Sequence, residues 1–82
     1  MPMKTLTVEY FAVFREQAGL AEERIESAAA TAAELFVECA GRHGFADPRD
    51  RCKVAINDEL AAWDARLREA DRVLFFPPVA GG

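Results

Sequence analysis

The spacing of apolar residues changes several times along the chain, and each change marks a predicted element. Residues 4–11 alternate, with Leu6, Val8 and Tyr10 on one face and Thr5, Thr7 and Glu9 on the other. Such alternation indicates a half-buried β-strand, because successive side chains point to opposite faces of a sheet. Phe11 falls on the polar face, so a large apolar side chain is predicted opposite the core.

A helical pattern begins at the sequence Thr31-Ala32-Ala33-Glu34. This is a capping box: the Thr31 hydroxyl can accept from the backbone N–H of Glu34, and the Glu34 side chain can reach back to the N–H of Thr31. A stripe at helical spacing then predicts a face that lies on a sheet; it contains Ala32, Leu35, Phe36, Cys39, Ala40 and His43. Gly44 predicts the end of the helix.

Shorter patterns predict the remaining elements. Residues 14–19 form a turn of helix or a loop that glycine stops, and residues 21–28 form a weaker strand with Ile25 inward. Residues 45–51 form a loop, residues 52–56 a strand, residues 57–59 a turn, residues 60–63 a short strand and residues 64–70 a connection. The last strand, residues 71–76, alternates with Val73 and Phe75 on one face.

The order of these elements is strand, strand, helix, strand, short strand, strand. One amphipathic helix on one face of a mixed sheet of four to five strands is an α+β architecture, and the simplest layout with this order is the β-grasp fold. We therefore predict a domain over residues 1–76 and an extended tail over residues 77–82. An 82-residue chain forms one small domain, in which a buried catalytic cleft is difficult to build.

Charge narrows the classes of partner. The net charge is −4, which disfavours nucleic acid, since nucleic-acid binding requires a basic face. No apolar run approaches the roughly 20 residues of a membrane span, and the N-terminus lacks a signal-peptide pattern. We therefore expect no membrane partner and a cytoplasmic location, where Cys39 and Cys52 would be buried free thiols.

Catalytic and metal-binding motifs are missing from the sequence. It contains no phosphate loop, no nucleophile elbow, no paired acids and no cysteine–histidine set with zinc spacing. His43, near the predicted end of the helix, is better explained as a residue that interacts with the helix dipole than as a catalyst. The sequence therefore predicts neither a metal site nor a bound cofactor.

The C-terminal tail is the most informative segment. The last strand ends at Pro77-Pro78, which cannot donate to a sheet and favours extended backbone, and Val79, Ala80, Gly81 and Gly82 follow. Six extended residues reach about 20 Å, and two terminal glycines can enter a narrow channel because they have no Cβ. Glycine-rich chain ends without a function are also common.

A second candidate site lies on the sheet face opposite the helix. If Val73 and Phe75 point toward the helix, Leu74 and Phe76 point outward, on the same side as Phe11. With Leu60 they would form an apolar patch at the root of the tail, and such patches often bind partners. Single exposed apolar residues are also normal, so the patch depends on the strand register.

The quoted residues resemble one known family. The stretch from Val73 to Gly82 (VLFFPPVAGG), residues 10–16 (YFAVFRE) and residues 54–57 (VAIN) are similar to the small subunits of molybdopterin synthase, which are ubiquitin-like sulfur carriers. The resemblance spans nearly the whole chain, is most specific at the tail and is weakest over residues 28–51. It implies the β-grasp fold that the element order already predicts.

The resemblance also implies a chemistry for Gly82. An ATP-dependent adenylyltransferase of the ubiquitin-activating type would convert its carboxylate to an acyl-adenylate, and sulfur would then replace AMP to give a thiocarboxylate. The tail would enter the large catalytic subunit of the synthase and donate sulfur to cyclic pyranopterin monophosphate, in an assembly of two small and two large subunits. Phe11, Leu60 and Phe76 would form the docking surface, with Arg15 as a contact or structural residue in the turn.

Other functions remain open at this point. A sulfur carrier for thiamine synthesis or tRNA thiolation, and a protein modifier joined to lysine, end in the same Gly-Gly pair. A ubiquitin-like binding module with an inert tail belongs to a different class. As a carrier, the chain would be a non-catalytic sulfur-donor subunit of a sulfurtransferase complex.

Overall fold

The computed structural model describes residues 3–78, which form a five-stranded sheet and two α-helices. In chain order the elements are β1 (Lys4–Tyr10), α1 (Val13–Ala18), β2 (Glu22–Ser27), α2 (Ala32–His43), a 3₁₀ turn (Arg49–Arg51), β3 (Lys53–Ile56), β4 (Glu59–Ala61) and β5 (Arg72–Phe76). The sheet order is β2-β1-β5-β3-β4. β1 and β5 are parallel and the other neighbours are antiparallel, so the predicted α+β, β-grasp layout is confirmed.

The hydrophobic core lies between α2 and one face of the sheet. Alternate residues of the central strands are fully buried, as the period-two pattern predicts: Leu6, Val8, Val73 and Phe75. The buried face of α2 contains Ala32, Leu35, Phe36 and Cys39. The helix stripe and the inward strand positions predicted from the sequence are therefore confirmed.

The ends of α2 follow the predicted capping chemistry with one difference. The Thr31 hydroxyl accepts from the N–H of Glu34 at 3.3 Å, and Gly44 ends the helix in the left-handed conformation. The Glu34 carboxylate accepts from the N–H of Ala30 at 2.8 Å, one residue before the partner that the capping box predicts. The N–H of Ala32 donates to the carbonyl of Ala65, and this hydrogen bond holds the start of the helix against the connection before β5.

The predicted bounds of the short strand were wrong at both ends. The short strand runs from Glu59 to Ala61 rather than over residues 60–63, because Asn57 and Asp58 alone form the hairpin turn, with φ of 51° and 72°. Positive φ at both central residues is the geometry of a two-residue type I′ turn, which needs no third residue. The predicted loop over residues 45–51 contains the 3₁₀ turn, and Phe45 packs against the core.

Candidate functional site

The outer face of the sheet, opposite α2, brings two aromatic residues together at the root of the tail. Phe11 directly follows β1, and Phe76 is the last residue of β5. Because β1 and β5 are parallel neighbours, their C-terminal ends meet at the same edge of the sheet. The two ring centroids are 5.7 Å apart with the planes at 60°, an edge-to-face contact on the surface.

Strand register adds residues from β3 and β4 to the same face. Leu74 pairs with Ala55, and Ala55 pairs with Leu60, so these three side chains lie in one row across the sheet. Lys53 pairs with Phe76 in the next row. Leu60 is 75% exposed on the edge strand and Phe11 is 49% exposed, and apolar residues that are grouped on a surface often mark a binding site.

These residues surround an open apolar cavity of about 290 Å³, which we call the tail-root cavity; it is lined by Phe11, Lys53, Leu60, Phe76 and Pro77. Three of the residues that the sequence predicts for the patch therefore come together, while the half-buried Leu74 lies on the same face outside the lining. Pro77 belongs to the wall of the cavity, so the tail begins at the cavity itself. A partner that receives the tail must approach this wall.

Lys53 is the lining residue that sequence reasoning missed. The chain has two lysines, Lys4 and Lys53, and this number is too small to suggest a basic patch. The useful signal was the alternation of β3: since Val54 points into the core, its neighbour Lys53 must point outward. The register between β3, β5 and β1 decides which of the outward residues meet. This register cannot be predicted from the sequence of one strand.

A strained turn directs Phe11 outward. The N–H of Phe14 donates to the carbonyl of Phe11 at 3.1 Å, and Ala12 between them has φ 53° and ψ −122°. These values match the first central position of a type II′ turn, which normally requires glycine. The turn reverses the chain so that Phe14 is fully buried while Phe11, three residues earlier, stays on the surface.

The remaining predicted site residues lie outside the tail-root cavity or outside the described residues. Arg15 is exposed on α1 and does not line the cavity; its carbonyl accepts from the N–H of Gly19 at 2.9 Å. Its role as a partner contact stays a prediction. Pro77 and Pro78 are half-buried, whereas Val79, Ala80, Gly81 and Gly82 lie outside the residues that the structure describes.

The other half of the outer face is charged rather than apolar. The Arg72 guanidinium on β5 donates to the Glu9 carboxylate on β1 and lies 3.8 Å from that of Glu22 on β2. These carboxylates raise the pKa of Arg72. The outer face therefore has a charged part, formed by Arg72 with Glu9 and Glu22, and a mainly apolar part around the tail-root cavity.

A partly buried polar cluster fixes the C-terminal end of α2 to the sheet. The Tyr10 hydroxyl donates to Glu23, and His43 Nε2 lies 2.6 Å from the same carboxylate oxygen. Burial opposes ionisation of Glu23, but hydrogen bonds from Tyr10 and His43 and the nearby Arg42 outweigh it and lower its pKa. His43 lies in the last turn of α2, where the sequence placed it, and acts there in packing and hydrogen bonding.

Both cysteines are buried free thiols, as predicted. Burial raises the pKa of Cys39 to about 11 and also raises that of Cys52, whose thiol donates to the carbonyl of Pro48 at 3.2 Å. Both thiols therefore stay protonated and unreactive in the folded protein. Within residues 3–78 no group of His, Cys, Asp or Glu side chains could hold a metal ion, and no helix has the length and apolarity needed to cross a membrane.

Two relatives with names from molybdopterin synthesis resemble this chain over nearly its whole length. The molybdopterin synthase sulfur carrier subunit of Haemophilus influenzae is 32% identical over 80 residues, which are 94% of this chain and 99% of that protein. The structure of a molybdopterin converting factor subunit 1 from Pyrococcus furiosus matches with 35% identity and a TM-score of 0.75, over 93% of this chain and 99% of that one.

Two further structures extend the comparison. SAMP1 from Haloferax volcanii, a small archaeal modifier protein, matches with 28% identity and a TM-score of 0.76 over 95% of this chain and 99% of that one. A protein–protein complex of subunits 1 and 2 of molybdopterin-converting factor from Helicobacter pylori contains the same fold, at 24% identity and a TM-score of 0.63 over 95% of this chain and 99% of that one. The model of the ThiS family matches residues 8–82, from the first strand to the terminal glycine. On this match and the identity to the Haemophilus protein, the chain belongs to the ThiS family of ubiquitin-like sulfur carriers.

Proposed function

We propose that this chain is the sulfur-carrier subunit of a molybdopterin synthase and that the carboxylate of Gly82 carries the sulfur. The observation that carries the proposal is the extent of the family match, which continues through the tail to Gly82. The names of the Haemophilus and Pyrococcus relatives support the same role. The tail-root cavity supports it independently, because it offers a partner surface where the tail begins.

The proposed chemistry begins with activation of a poor electrophile. An ATP-dependent adenylyltransferase joins the Gly82 carboxylate to AMP and releases pyrophosphate. A sulfur nucleophile then attacks the acyl carbon, AMP leaves, and a thiocarboxylate remains at Gly82. The carrier contributes a reactive terminus on a narrow tail and needs no base of its own. This reaction uses ATP and reduced sulfur, so we place it in the cytoplasm, where thiols are kept reduced.

The proposed recipient step requires a second protein. The large catalytic subunit of the synthase receives the tail, and the thiocarboxylate donates its sulfur to cyclic pyranopterin monophosphate. The description of the Haemophilus relative as one subunit of a synthase supports such a partner. Docking on the tail-root cavity would hold the terminal six residues at the entrance of the partner's active site. We propose Phe11, Leu60 and Phe76 as the docking residues, with Leu74 and Arg15 as further partner contacts.

The name of the Haloferax relative, a small archaeal modifier protein, favours one alternative. In this alternative the chain is a protein modifier whose terminal glycine is joined to lysine. A modifier and a sulfur carrier share the adenylated intermediate and differ in the nucleophile that displaces AMP. A lysine amine gives an amide-linked conjugate, whereas sulfur gives a thiocarboxylate. The two products have different masses, so one measurement separates them.

The test is the intact mass of the protein purified from its own cells under mild conditions. Replacing one carboxylate oxygen by sulfur adds about 16 Da, as oxidation of one cysteine thiol would. Labelling the folded protein with an alkylating reagent removes this ambiguity, because Cys39 and Cys52 are buried with raised pKa values. One label on the folded chain, mapped to Gly82, is the expected result.

A chain extended by one residue after Gly82 is the control, and it should acquire neither the added mass nor the label. If Gly82 stays unmodified with adenylyltransferase, ATP and a sulfur donor present, the carrier function is wrong and a binding module with an inert tail replaces it. Conjugates to other proteins through Gly82, without a thiocarboxylate, would instead establish the modifier.

A further inference from the structure

Lys53 is a cation in the wall of an otherwise apolar cavity. It pairs with Phe76 across the β3–β5 ladder and lines the tail-root cavity with Phe11, Leu60 and Pro77. Its four-carbon stem can cover apolar surface while the ammonium reaches water. Alternation along β3 places Val54 in the core and Lys53 outside, and the register with β5 places Lys53 opposite Phe76.

The ammonium of Lys53 makes no ion pair and no side-chain hydrogen bond within residues 3–78. On the same sheet face, the carboxylate of Glu9 is already engaged by Arg72. The chain has one other lysine, Lys4, and its ammonium donates to the carbonyl of Ala29 at 3.1 Å. The two lysines therefore differ: Lys4 stabilises its own fold, whereas Lys53 has no described partner.

A partner that covers the cavity must compensate the positive charge of Lys53. The tail starts at Pro77 in the cavity wall, so the protein that receives the tail lies against the same wall. Covering the wall removes water from the ammonium, and a charge that loses its water without an opposite charge opposes binding. An apolar side chain can fill the cavity, and a carboxylate is the acceptor that would also neutralise the charge of Lys53.

We propose that the catalytic subunit that receives the tail places an apolar side chain in the tail-root cavity and a carboxylate on Lys53 Nζ. Lys53 is then a specificity-determining contact: it rejects apolar surfaces that lack a carboxylate beside the cavity. The inference rests on the proposed function, since it names the recognition chemistry of the same partner. Charge complementarity of this kind sets which partner binds and in which register.

Carbodiimide cross-linking tests the contact directly. The reagent joins an amine to a carboxylate within contact distance as an amide, with loss of water and no spacer. In the mixture of this chain and the catalytic subunit, the cross-link should map to Lys53, while Lys4, the other lysine, serves as an internal control. A cross-link at Lys4 or the N-terminus alone would overturn the proposal.

Binding affinity provides the second measurement. Lys53→Glu should weaken binding of the catalytic subunit by about 30-fold or more, because it places two carboxylates together in an interface without water. Lys53→Met keeps an apolar stem and should cause a smaller loss. Arg24→Glu is the matched control, since it changes the net charge equally on the exposed edge strand β2, and we expect a change of less than about 3-fold because salt screens it.

The outcomes separate this inference from the proposed function. If the unaltered chain binds the catalytic subunit and Lys53→Glu binds equally well, the Lys53 contact is wrong while the carrier function stands. If the unaltered chain does not bind, the proposed partner is wrong. Thermal unfolding of each variant shows whether a loss of binding comes from a loss of fold, and a Lys53→Glu chain that unfolds leaves the cross-link as the deciding result.

Discussion

The two faces of β5 have the same kind of residues and opposite surroundings. Val73 and Phe75 on the inner face are fully buried against the core, whereas Leu74 and Phe76 on the outer face are only partly covered. In an ordinary two-layer domain one face of the sheet is polar, because only the other meets the helix. The outer face of β5 departs from this rule where the tail begins, because Leu74 and Phe76 are apolar. This indicates that a partner covers this part of the sheet.

The largest expected effect is the loss of stability when a buried side chain on the inner face of β5 is removed. Phe75→Ala removes a fully buried ring that contacts Phe36 and Trp63, and it should lower the free energy of unfolding by about 3–5 kcal/mol. Because a domain of this size has only about 4–12 kcal/mol in total, this loss is a large fraction of its stability. Urea denaturation followed by circular dichroism measures this loss, and a nearly unchanged midpoint would contradict the burial assigned to Phe75.

The corresponding change on the outer face should affect binding instead of folding. Phe76→Ala removes half-exposed area and the contact with Phe11, so its cost in stability should stay below about 1.5 kcal/mol. Its affinity for the catalytic subunit should fall by at least about 10-fold, as expected for a central aromatic anchor. Titration calorimetry beside urea denaturation measures both quantities.

Val37 offers a control for this outer-face experiment. It is an apolar residue on the solvent side of α2, 66% exposed, and Val37→Ala should change neither stability nor binding appreciably. If Phe76→Ala unfolds the domain, or if Val37→Ala weakens binding as strongly, the division into a core face and a docking face is wrong.

The polar cluster at the end of α2 gives a smaller, pH-dependent effect. The pKa of Glu23 is lowered from its ordinary value of 4.5, so the folded state holds this carboxylate ionised more strongly than the unfolded state does. Its contribution to stability is therefore complete above that value and is lost as the pH falls through the lower folded pKa. We expect about 1–2 kcal/mol, since partly buried hydrogen bonds to a charged group are involved.

Glu23→Gln is the variant that isolates this contribution. Compared with the unaltered chain it should be less stable at pH 7, and the difference should shrink as the pH falls from about 4.5 through the lower folded pKa of Glu23, below which neither chain carries this charge. Urea denaturation at several pH values measures the difference. A difference that stays constant from pH 7 to pH 3 would show that the charge of Glu23 does not contribute.

The smallest effect concerns the turn that separates the two faces. Ala12→Gly should raise the free energy of unfolding by up to about 1 kcal/mol, because φ of 53° strains alanine and not glycine. Ala33→Gly in the first turn of α2 is the matched control and should lower it by up to about 1 kcal/mol, since glycine loses more backbone entropy than alanine when a helix forms. Equal losses in the two variants would mean that the Ala12 turn carries no strain.

Much of the architecture could be predicted because local signals agreed with one another. Alternation located β1 and β5, the Thr31 cap and Gly44 bounded α2, and the inward residues of both elements were correct. The errors occurred where local signals were weak. The hairpin turn uses Asn57 and Asp58 alone, so β4 starts one residue earlier and ends two residues earlier than its apolar pattern suggested.

The candidate site was predictable only in part. Alternation showed that Phe11, Leu74 and Phe76 leave the core face, but it could not show which of them meet. Parallel pairing of β1 with β5 joins residues that are 65 positions apart, Phe11 and Phe76, and antiparallel pairing with β3 adds Lys53. The Tyr10–Glu23–His43 cluster likewise joins three elements, so no single segment predicts it.

The sequence by itself determined most of the elements, the inward faces of the helix and strands, and the burial of both thiols. Its terminal motif also indicated the family of the chain. These properties depend on neighbours in the chain: side-chain period, capping residues and a terminal motif. Only the tertiary structure decided strand order and register, and therefore that Lys53 faces Phe76 and that Phe11, Leu60 and Pro77 share one cavity. The physical reason is that contacts between distant segments form only when the whole sheet closes around one core.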